Sequence, residues 1–522
     1  MKTSESVLVA VDGQPSGVDR TPLYGERLLF VCGLLAAVVF ITVGIERSIW
    51  QDEAATILIS NRPFRGVTEG LRHENNFPLY FYLVSIWTRL VGSSEVALRT
   101  LSALFYGTTI GTGFALGKRL CHNNRAAWYA AFFCLVSPLA VLQAQSIRMY
   151  SLLGTLCGLS LLAFVRLFWE RDRSLAATAG FIVVNALGIL THLWFGFVLV
   201  GQAAALLVWE RQQLWRWMSA CAAAAVPFLV LWAPKLPDQI RNGATDWMPG
   251  LKPGALLVAG LEFWGLIPGV MLYGLAAGGW LMAGADRRKR MLSGRAVPLL
   301  ALVFAVNLGL PLAVSLVRPI YAPGRYAIIA LVPLAVLMAA ILTSLWPRGA
   351  LPWPCLVLLA VGVVNQVNHR EDVLASELPA GQSDRTTALF LLQHAAPGDA
   401  IVFTSLTRPA ADYYFRRAHA EDRFVEISFP AENARHPGWD DPGVPAGQRI
   451  PLQAEAAATT GRLQQIAGSG RRVWLYNGGS NAVGVILKQR LDAALALQQT
   501  YPLLGPYHRR ILEYTAAGAV HP

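Results

Sequence analysis

Charge is what this 522-residue sequence has least of. Asp, Glu, Lys and Arg make up 15% of it, against 54% hydrophobic residues; soluble domains run at about a quarter charged. That excludes an ordinary soluble enzyme. Cysteine is sparse and scattered: the six stand at 32, 121, 134, 157, 221 and 355, mostly inside apolar runs and without metal-ligand spacing. None falls in the C-terminal part, which therefore has no disulfide framework, and they read as small apolar core residues. Acidic residues are also short, 32 against 44 basic ones. The basic surplus is spread among short loops instead of forming one segment, which argues against nucleic acid and for positive-inside placement at a membrane. No internal repeat is visible. No small-x-small cleavage site precedes Glu46, so the first apolar run, Leu28 to Ile45, reads as a retained span and not a signal peptide.

What the sequence does have is apolar runs of about 18 residues or more, recurring from Leu28 to Val367, each long enough to cross a bilayer. Spans are expected at roughly 28–45, 96–117, 126–144, 149–169, 175–192, 194–209, 214–233, 255–283, 297–317, 326–346 and 351–367, about eleven in all. Lys118, Arg119 and Arg125, then Arg166, Arg171 and Arg173, then Arg211 and Arg216, then Arg287 to Arg290 with Arg295, and finally Arg348 mark the cytoplasmic loops. Residues 1–26 are polar and expected to be a disordered cytoplasmic N-terminus. Residues 27–368 form the membrane domain with an external loop at 46–95, and 369–522 a soluble extracytoplasmic domain. Leu79 to Val91 is apolar but short and interrupted by Arg89, so it is expected to lie at the interface. The soluble part reads as alternating α and β. Helices are expected at 386–395, 409–417, 454–467 and 483–498, strands at 400–404, 424–428 and 472–476, and a Pro-rich loop runs to about Pro451. This part carries no phosphate loop, nucleophile elbow or metal motif.

With this topology the outer span ends collect Asp52, Glu53, His73, Glu74, Asn75, Asn76, Gln145, Arg148, His192, Asp246, Arg318, Tyr321, Arg325 and Tyr326. Carboxylates, arginines and tyrosines converging from distant parts of the chain suit an anionic-headgroup site at a membrane surface. Asp52 and Glu53 follow the first span closely; their bland alternative is a pair of helix N-terminal acids favoured by the macrodipole.

Four stretches carry a resemblance: Ser48-Ile49-Trp50-Gln51-Asp52-Glu53-Ala54; Asn76-Phe77-Pro78-Leu79-Tyr80 with Gly92 to Arg99; Gln145-Ser146-Ile147-Arg148-Met149-Tyr150; and Gly324-Arg325-Tyr326 opening a long apolar helix. Leu190-Thr191-His192 is a weaker fifth, and Pro397-Gly398-Asp399 with Tyr413-Tyr414 matches the small external domain. In this order the set resembles the GT-C superfamily of integral-membrane glycosyltransferases, in the branch of protein O-mannosyltransferases, aminoarabinose transferases and Rgt-type galacturonosyltransferases. The resemblance implies a polytopic α-helical GT-C fold with a small C-terminal α/β domain in a bacterial plasma membrane. It implies inverting transfer of one sugar from a polyprenyl-phosphate carrier to a lipid, glycan or protein acceptor at the outer face. Asp52 would be the general base, with Glu53 a second carboxylate, a metal ligand or a helix N-terminal acid. Arg325 and then Arg148 would bind the phosphate through their planar forks. Tyr326, Tyr80, Glu74, Asn76 and His192 are further candidate substrate contacts.

The sequence departs from the family pattern twice. Asn76-Phe77-Pro78 stands where many relatives have His-Pro-Pro, and Ser146 replaces a carboxylate that can serve as a metal ligand. A bound magnesium or manganese is therefore disfavoured. Glu262 lies inside a span, where a carboxylate is costly; it faces either a cavity or a polar partner on another helix. The rival class is a lipid-sugar transporter or flippase. Such proteins favour repeats and mid-membrane ionisable residues, whereas the ionisable residues here sit toward span ends.

Overall fold

The computed structural model describes residues 23–72, 74, 76–241, 248, 250–368, 383–404, 407–431, 449–477, 482–501 and 510–518. His73, Asn75, Asp246, the first 22 residues and most of the expected Pro-rich loop lie outside the described residues. The chain opens with α1 (Tyr24–Gly44), so the polar N-terminal stretch gives way to helix three residues earlier than its composition suggests. The external loop then folds into three helices: α2 (Gln51–Ser60), α3 (Phe64–Arg72) and α4 (Pro78–Val91). The membrane domain continues through α5 (Glu95–Cys121), α6 (Asn124–Leu135), α7 (Pro138–Ala144), α8 (Tyr150–Phe164), α9 (Leu175–Ile189), α10 (Phe195–Trp209), α11 (Leu214–Leu231), α12 (Leu236–Arg241), α13 (Ala255–Leu261), α14 (Leu266–Met282), α15 (Ala285–Ser293), α16 (Ala296–Ser315), α17 (Leu331–Leu345) and α18 (Pro352–Asn368).

Every expected span is occupied by a helix or a bent helix pair. Among the described residues five helices are long and apolar enough to cross a membrane, or seven if each bent pair counts as one span. α6 and α7 bend by 60°, where Val136 and Ser137 interrupt the helix before Pro138. α13 and α14 bend by 87° at the Glu262–Gly265 break. Large outward-facing residues of these helices are apolar: Leu35, Val39, Val230, Leu257 and Met282 are all more than half exposed. Such a surface is unfavourable in water and suits hydrocarbon; this is a multi-pass membrane protein. α8 and α17 are the most enclosed spans and, with α6, form the centre of the packed bundle. At the basic ends of the helices, Arg125 pairs with Glu26 at 2.8 Å, Arg119 with Glu170 at 2.6 Å, and Arg171 and Arg295 both with Glu210, at 2.7 and 3.1 Å.

The C-terminal part is an α/β unit of α19 (Asp384–His394), β1 (Ala400–Thr404), α20 (Arg408–Arg417), β2 (Val425–Phe429), α21 (Arg449–Gly468), β3 (Val473–Asn477), α22 (Ala482–Ala494), β4 (Leu495–Tyr501) and β5 (Arg510–Ala516). The five strands run in the order β2-β1-β3-β5-β4. β1 lies parallel to both β2 and β3, with Ala400 opposite Val425 and Val473; β5 is antiparallel to β3 and β4. The expected helix at 483–498 ends at Ala494. Its last turn is strand instead, because Leu495 to Tyr501 pair with Ile511 to Ala516 and this tertiary pairing overrides helical propensity.

Candidate active site

The site is built around one turn, Glu46 to Trp50, which leads from α1 into α2. Asp52 and Glu53 fall in the first turn of α2, where the exposed N–H groups and the macrodipole favour negative charge. Adjacent on the helix, they meet different partners.

Glu53 is completely enclosed. Its Oε2 accepts from Arg99 Nη2 at 2.6 Å and its Oε1 from Arg99 Nε at 3.2 Å and from the backbone N–H of Ile147 at 2.9 Å. Arg47 stands 3.7 Å away. Burial by itself raises the carboxyl pKa, but the charges of Arg99 and Arg47 outweigh it and hold the group below the ordinary value of 4.5. Arg99 also donates to the carbonyls of Ile45, Arg47 and Ser48, at 2.9, 2.6 and 3.1 Å. One guanidinium thus ties the turn to α5, and Glu53 ties it to the loop carrying Arg148. With its oxygens occupied by these donors and its side chain 0% exposed, Glu53 offers nothing to a substrate, which corrects its placement among the reacting groups.

Asp52 faces the other way chemically. Its Oδ2 lies 3.2 Å from Arg325 Nη1, and both side chains keep about a quarter of their surface open, 24% and 26%. The Arg325 guanidinium also lies over the Trp50 ring, 5.3 Å from its centroid. Arg148 completes the group. Its Nη1 donates to the Asp52 carbonyl at 3.3 Å and to Thr56 Oγ1 at 3.0 Å, and its Nη2 to Asn76 Oδ1 at 3.2 Å. Its Nε is buried with no hydrogen-bond partner. The Tyr150 ring meets those of Tyr326 and His192, with centroids 5.7 and 6.1 Å apart. Tyr326 in turn stacks on Trp194 at 4.6 Å and meets the His192 ring at 5.3 Å; His192 Nδ1 accepts from the Trp194 N–H at 3.1 Å.

Two further devices hold this arrangement. Glu262, in the break between α13 and α14, accepts from the Tyr321 hydroxyl at 2.7 Å and the Gly324 N–H at 3.0 Å. Gln143 donates to the Gly324 carbonyl at 2.7 Å. Gly324 has φ +75°, a left-handed conformation that glycine adopts without strain. The turn before Arg325 is therefore fixed from both sides, and Glu262 is a polar contact between segments. On the opposite side, Gln239 Nε2 donates to the carbonyls of Leu71, Glu74 and Asn76, fixing the loop from which Asn76 reaches Arg148.

Of the residues expected from sequence, the structure brings together Asp52, Arg325, Arg148, Asn76, Tyr326 and His192. It separates Tyr80, which is 0% exposed with its hydroxyl on Ser102 at 2.9 Å, because the helical phase of α4 turns it into the core. Glu74 is buried too, its carbonyl engaged by Gln239. Sequence reasoning gave no role to Arg99, Gln143, Gln239 or Trp50. Arg99 lay in a recognised motif and Glu262 was signalled by its intramembrane charge; the two glutamines carry no such signal.

Among the described residues no group of three His, Cys, Asp or Glu side chains comes together as a metal site. The residues present also do not fit a divalent cation: Ser146 offers no carboxylate, the Glu53 oxygens are taken by Arg99 and the Ile147 N–H, and Asp52 faces one guanidinium with a second on its backbone carbonyl.

An apolar helical bundle carrying an acid–arginine cluster at the ends of its spans, with a small α/β unit packed on it, defines a multi-pass membrane protein. Comparison with known proteins places it more closely. Residues 75–237 match the family model described as dolichyl-phosphate-mannose-protein mannosyltransferase. The chain is similar to the structure of ArnT from Cupriavidus metallidurans in the apo state, with a TM-score of 0.63 at 15% identity, covering 96% of this chain and 99% of that one. The same protein bound to undecaprenyl phosphate gives 0.59 at 16% identity over 96% and 100%. The apo Archaeoglobus fulgidus oligosaccharyltransferase gives 0.55 at 13% over 96% and 75%. At these identities the likeness establishes the fold. No curated protein sequence matches the chain.

Proposed function

We propose that the chain is an inverting glycosyltransferase that moves one sugar from a polyprenyl-phosphate carrier to an acceptor hydroxyl at the outer face of a bacterial plasma membrane. The observation that carries this reading is the partly open Asp52–Arg325 pair at 3.2 Å, with Arg148 beside it and lipid-facing helices below. A carboxylate next to two guanidiniums supplies a proton acceptor and an anion clamp in one place. A fold shared with a protein seen bound to undecaprenyl phosphate supports the carrier class.

In this reading the carrier phosphate takes the fork of Arg325, releasing the Asp52 carboxylate that Arg325 holds in the free protein. The acceptor oxygen attacks the anomeric carbon while the bond from that carbon to the phosphate oxygen breaks, its electron pair leaving with the phosphate. The hydroxyl proton passes to Asp52. A base so placed contributes about 10²–10⁴-fold; holding both substrates and neutralising the leaving phosphate supplies the larger share. The acceptor is a lipid A or core glycan, a protein or a wall glycan. The N-terminus is cytoplasmic and the C-terminal domain lies outside, with 1–26, 27–368 and 369–522 as the working divisions. The test is chemical: purified protein incubated with polyprenyl-phosphate sugars and candidate acceptors releases free carrier phosphate. Carrier left fully glycosylated across the set of sugars and acceptors would contradict the proposal.

A further inference from the structure

The C-terminal unit does more than sit on the membrane domain. Its contacts converge on the turn that delivers Asp52. The Tyr414 hydroxyl accepts from the backbone N–H of Ile49 at 2.9 Å, and the Arg385 N–H donates to Ser48 Oγ at 3.1 Å. Arg385 Nη2 donates to the Glu46 carbonyl at 2.5 Å and to Glu95 at 3.0 Å, and Arg417 reaches the other Glu95 oxygen at 2.7 Å. The Glu46–Trp50 turn is thus gripped between two bodies: Arg99 of α5 holds its carbonyls from the membrane side, while α19 and α20 hold the Ile49 N–H and the Ser48 hydroxyl from the other. Tyr414 is 6% exposed, so this hydroxyl is committed to the turn and not to solvent. The next residue after Ile49 is Trp50, whose ring carries the Arg325 guanidinium, and Asp52 follows two residues later.

We propose that Tyr414 is a positioning residue for sugar transfer, through which the C-terminal domain sets the Ile49–Asp52 backbone and completes the site. The inference rests on the transferase reading given above. Without the hydroxyl, the Ile49 N–H loses its partner in a buried interface and the turn can shift, carrying Asp52 from its place relative to the acceptor. Arg325 also keeps a turn of its own, fixed by Glu262 and Gln143, so the shift should cost turnover more than carrier binding. Tyr413, the neighbouring residue of α20, supplies the control. It is equally buried, but its hydroxyl donates to the Ser93 carbonyl at 2.9 Å, at the start of α5 and away from the turn.

The experiment compares full-length Tyr414→Phe, Tyr413→Phe and Asp52→Asn for turnover and KM on a polyprenyl-phosphate sugar, with rates normalised to carrier-binding sites so that a smaller folded fraction does not register. Tyr414→Phe should lower kcat by roughly tenfold with carrier KM within about twofold, as a small misplacement of a reacting group does, while Tyr413→Phe stays near wild type. Wild-type kcat in Tyr414→Phe, or an equal loss in Tyr413→Phe, overturns the inference. Wild-type turnover in Asp52→Asn instead removes Asp52 as the base, and absence of any transfer by the wild-type protein overturns the transferase reading beneath the inference.

Discussion

The inner and outer faces of the turn into α2 use the same pairing, carboxylate against arginine, for opposite purposes. On the inner face Glu53 and Arg99 are both 0% exposed and hydrogen-bonded to the backbone of two segments, the 45–48 turn and Ile147. On the outer face Asp52 and Arg325 meet at one contact and stay about a quarter open. Burial decides the difference. A sealed ion pair with its remaining bonds filled fixes geometry and can do little else, whereas an open one can exchange its arginine for a phosphate and its carboxylate for a proton. Two neighbouring acids in one motif thus sit in opposite settings, one sealed and one partly open.

Breaking the inner face should cost the most. Arg99→Ala strands the Glu53 charge, and loss of one member of a buried pair costs about 3–5 kcal/mol; the expected result is a large fall in thermal midpoint and in folded yield from detergent. A wild-type midpoint would show that the inner face holds nothing. The same pair sets a pH dependence. The Glu53 carboxyl is held below 4.5 in the folded protein, so its contribution is fully present above that pH and lost as pH falls through the lowered value. Unfolding midpoints followed from about pH 6 to about pH 3 should drop more steeply in wild type than in Glu53→Gln.

Breaking the outer face should cost binding and not stability. Arg325→Ala should weaken polyprenyl-phosphate binding by about 1.5–3 kcal/mol, the worth of a charge-assisted contact, with the unfolding midpoint unchanged. Arg325→Lys should recover only part, because a point charge does not reproduce the fork. Equal binding by all three proteins, measured by titration calorimetry, would remove Arg325 from the phosphate site. Smallest is Tyr80→Phe, which loses one buried hydrogen bond to Ser102 worth about 0.5–1.5 kcal/mol; transfer kinetics should not change. A raised KM there would return Tyr80 to the substrate site.

The bundle, the short apolar segment as a helix of its own, and three of the five strands were legible from hydropathy and turn residues. That Asp52, Arg148, Asn76 and Arg325 lie at one end of the bundle was expected from the span topology, which put all four at the outer span ends. Illegible were features set by tertiary contact alone. Leu495 to Tyr501 has a helical composition and becomes strand only because β5 pairs with it. The fates of Asp52 and Glu53 depend on a helical phase that two adjacent letters do not reveal. Gln143 and Gln239 look like any polar residue until their carbonyl partners are seen.

The most direct test of the central claim is single-turnover transfer by Asp52→Asn in purified protein, with carrier binding and thermal midpoint measured alongside. Transfer should slow by roughly 10²-fold or more, with midpoint and carrier affinity near wild type. Transfer at the wild-type rate would contradict that claim, and the outer face of the turn would then have no catalytic role.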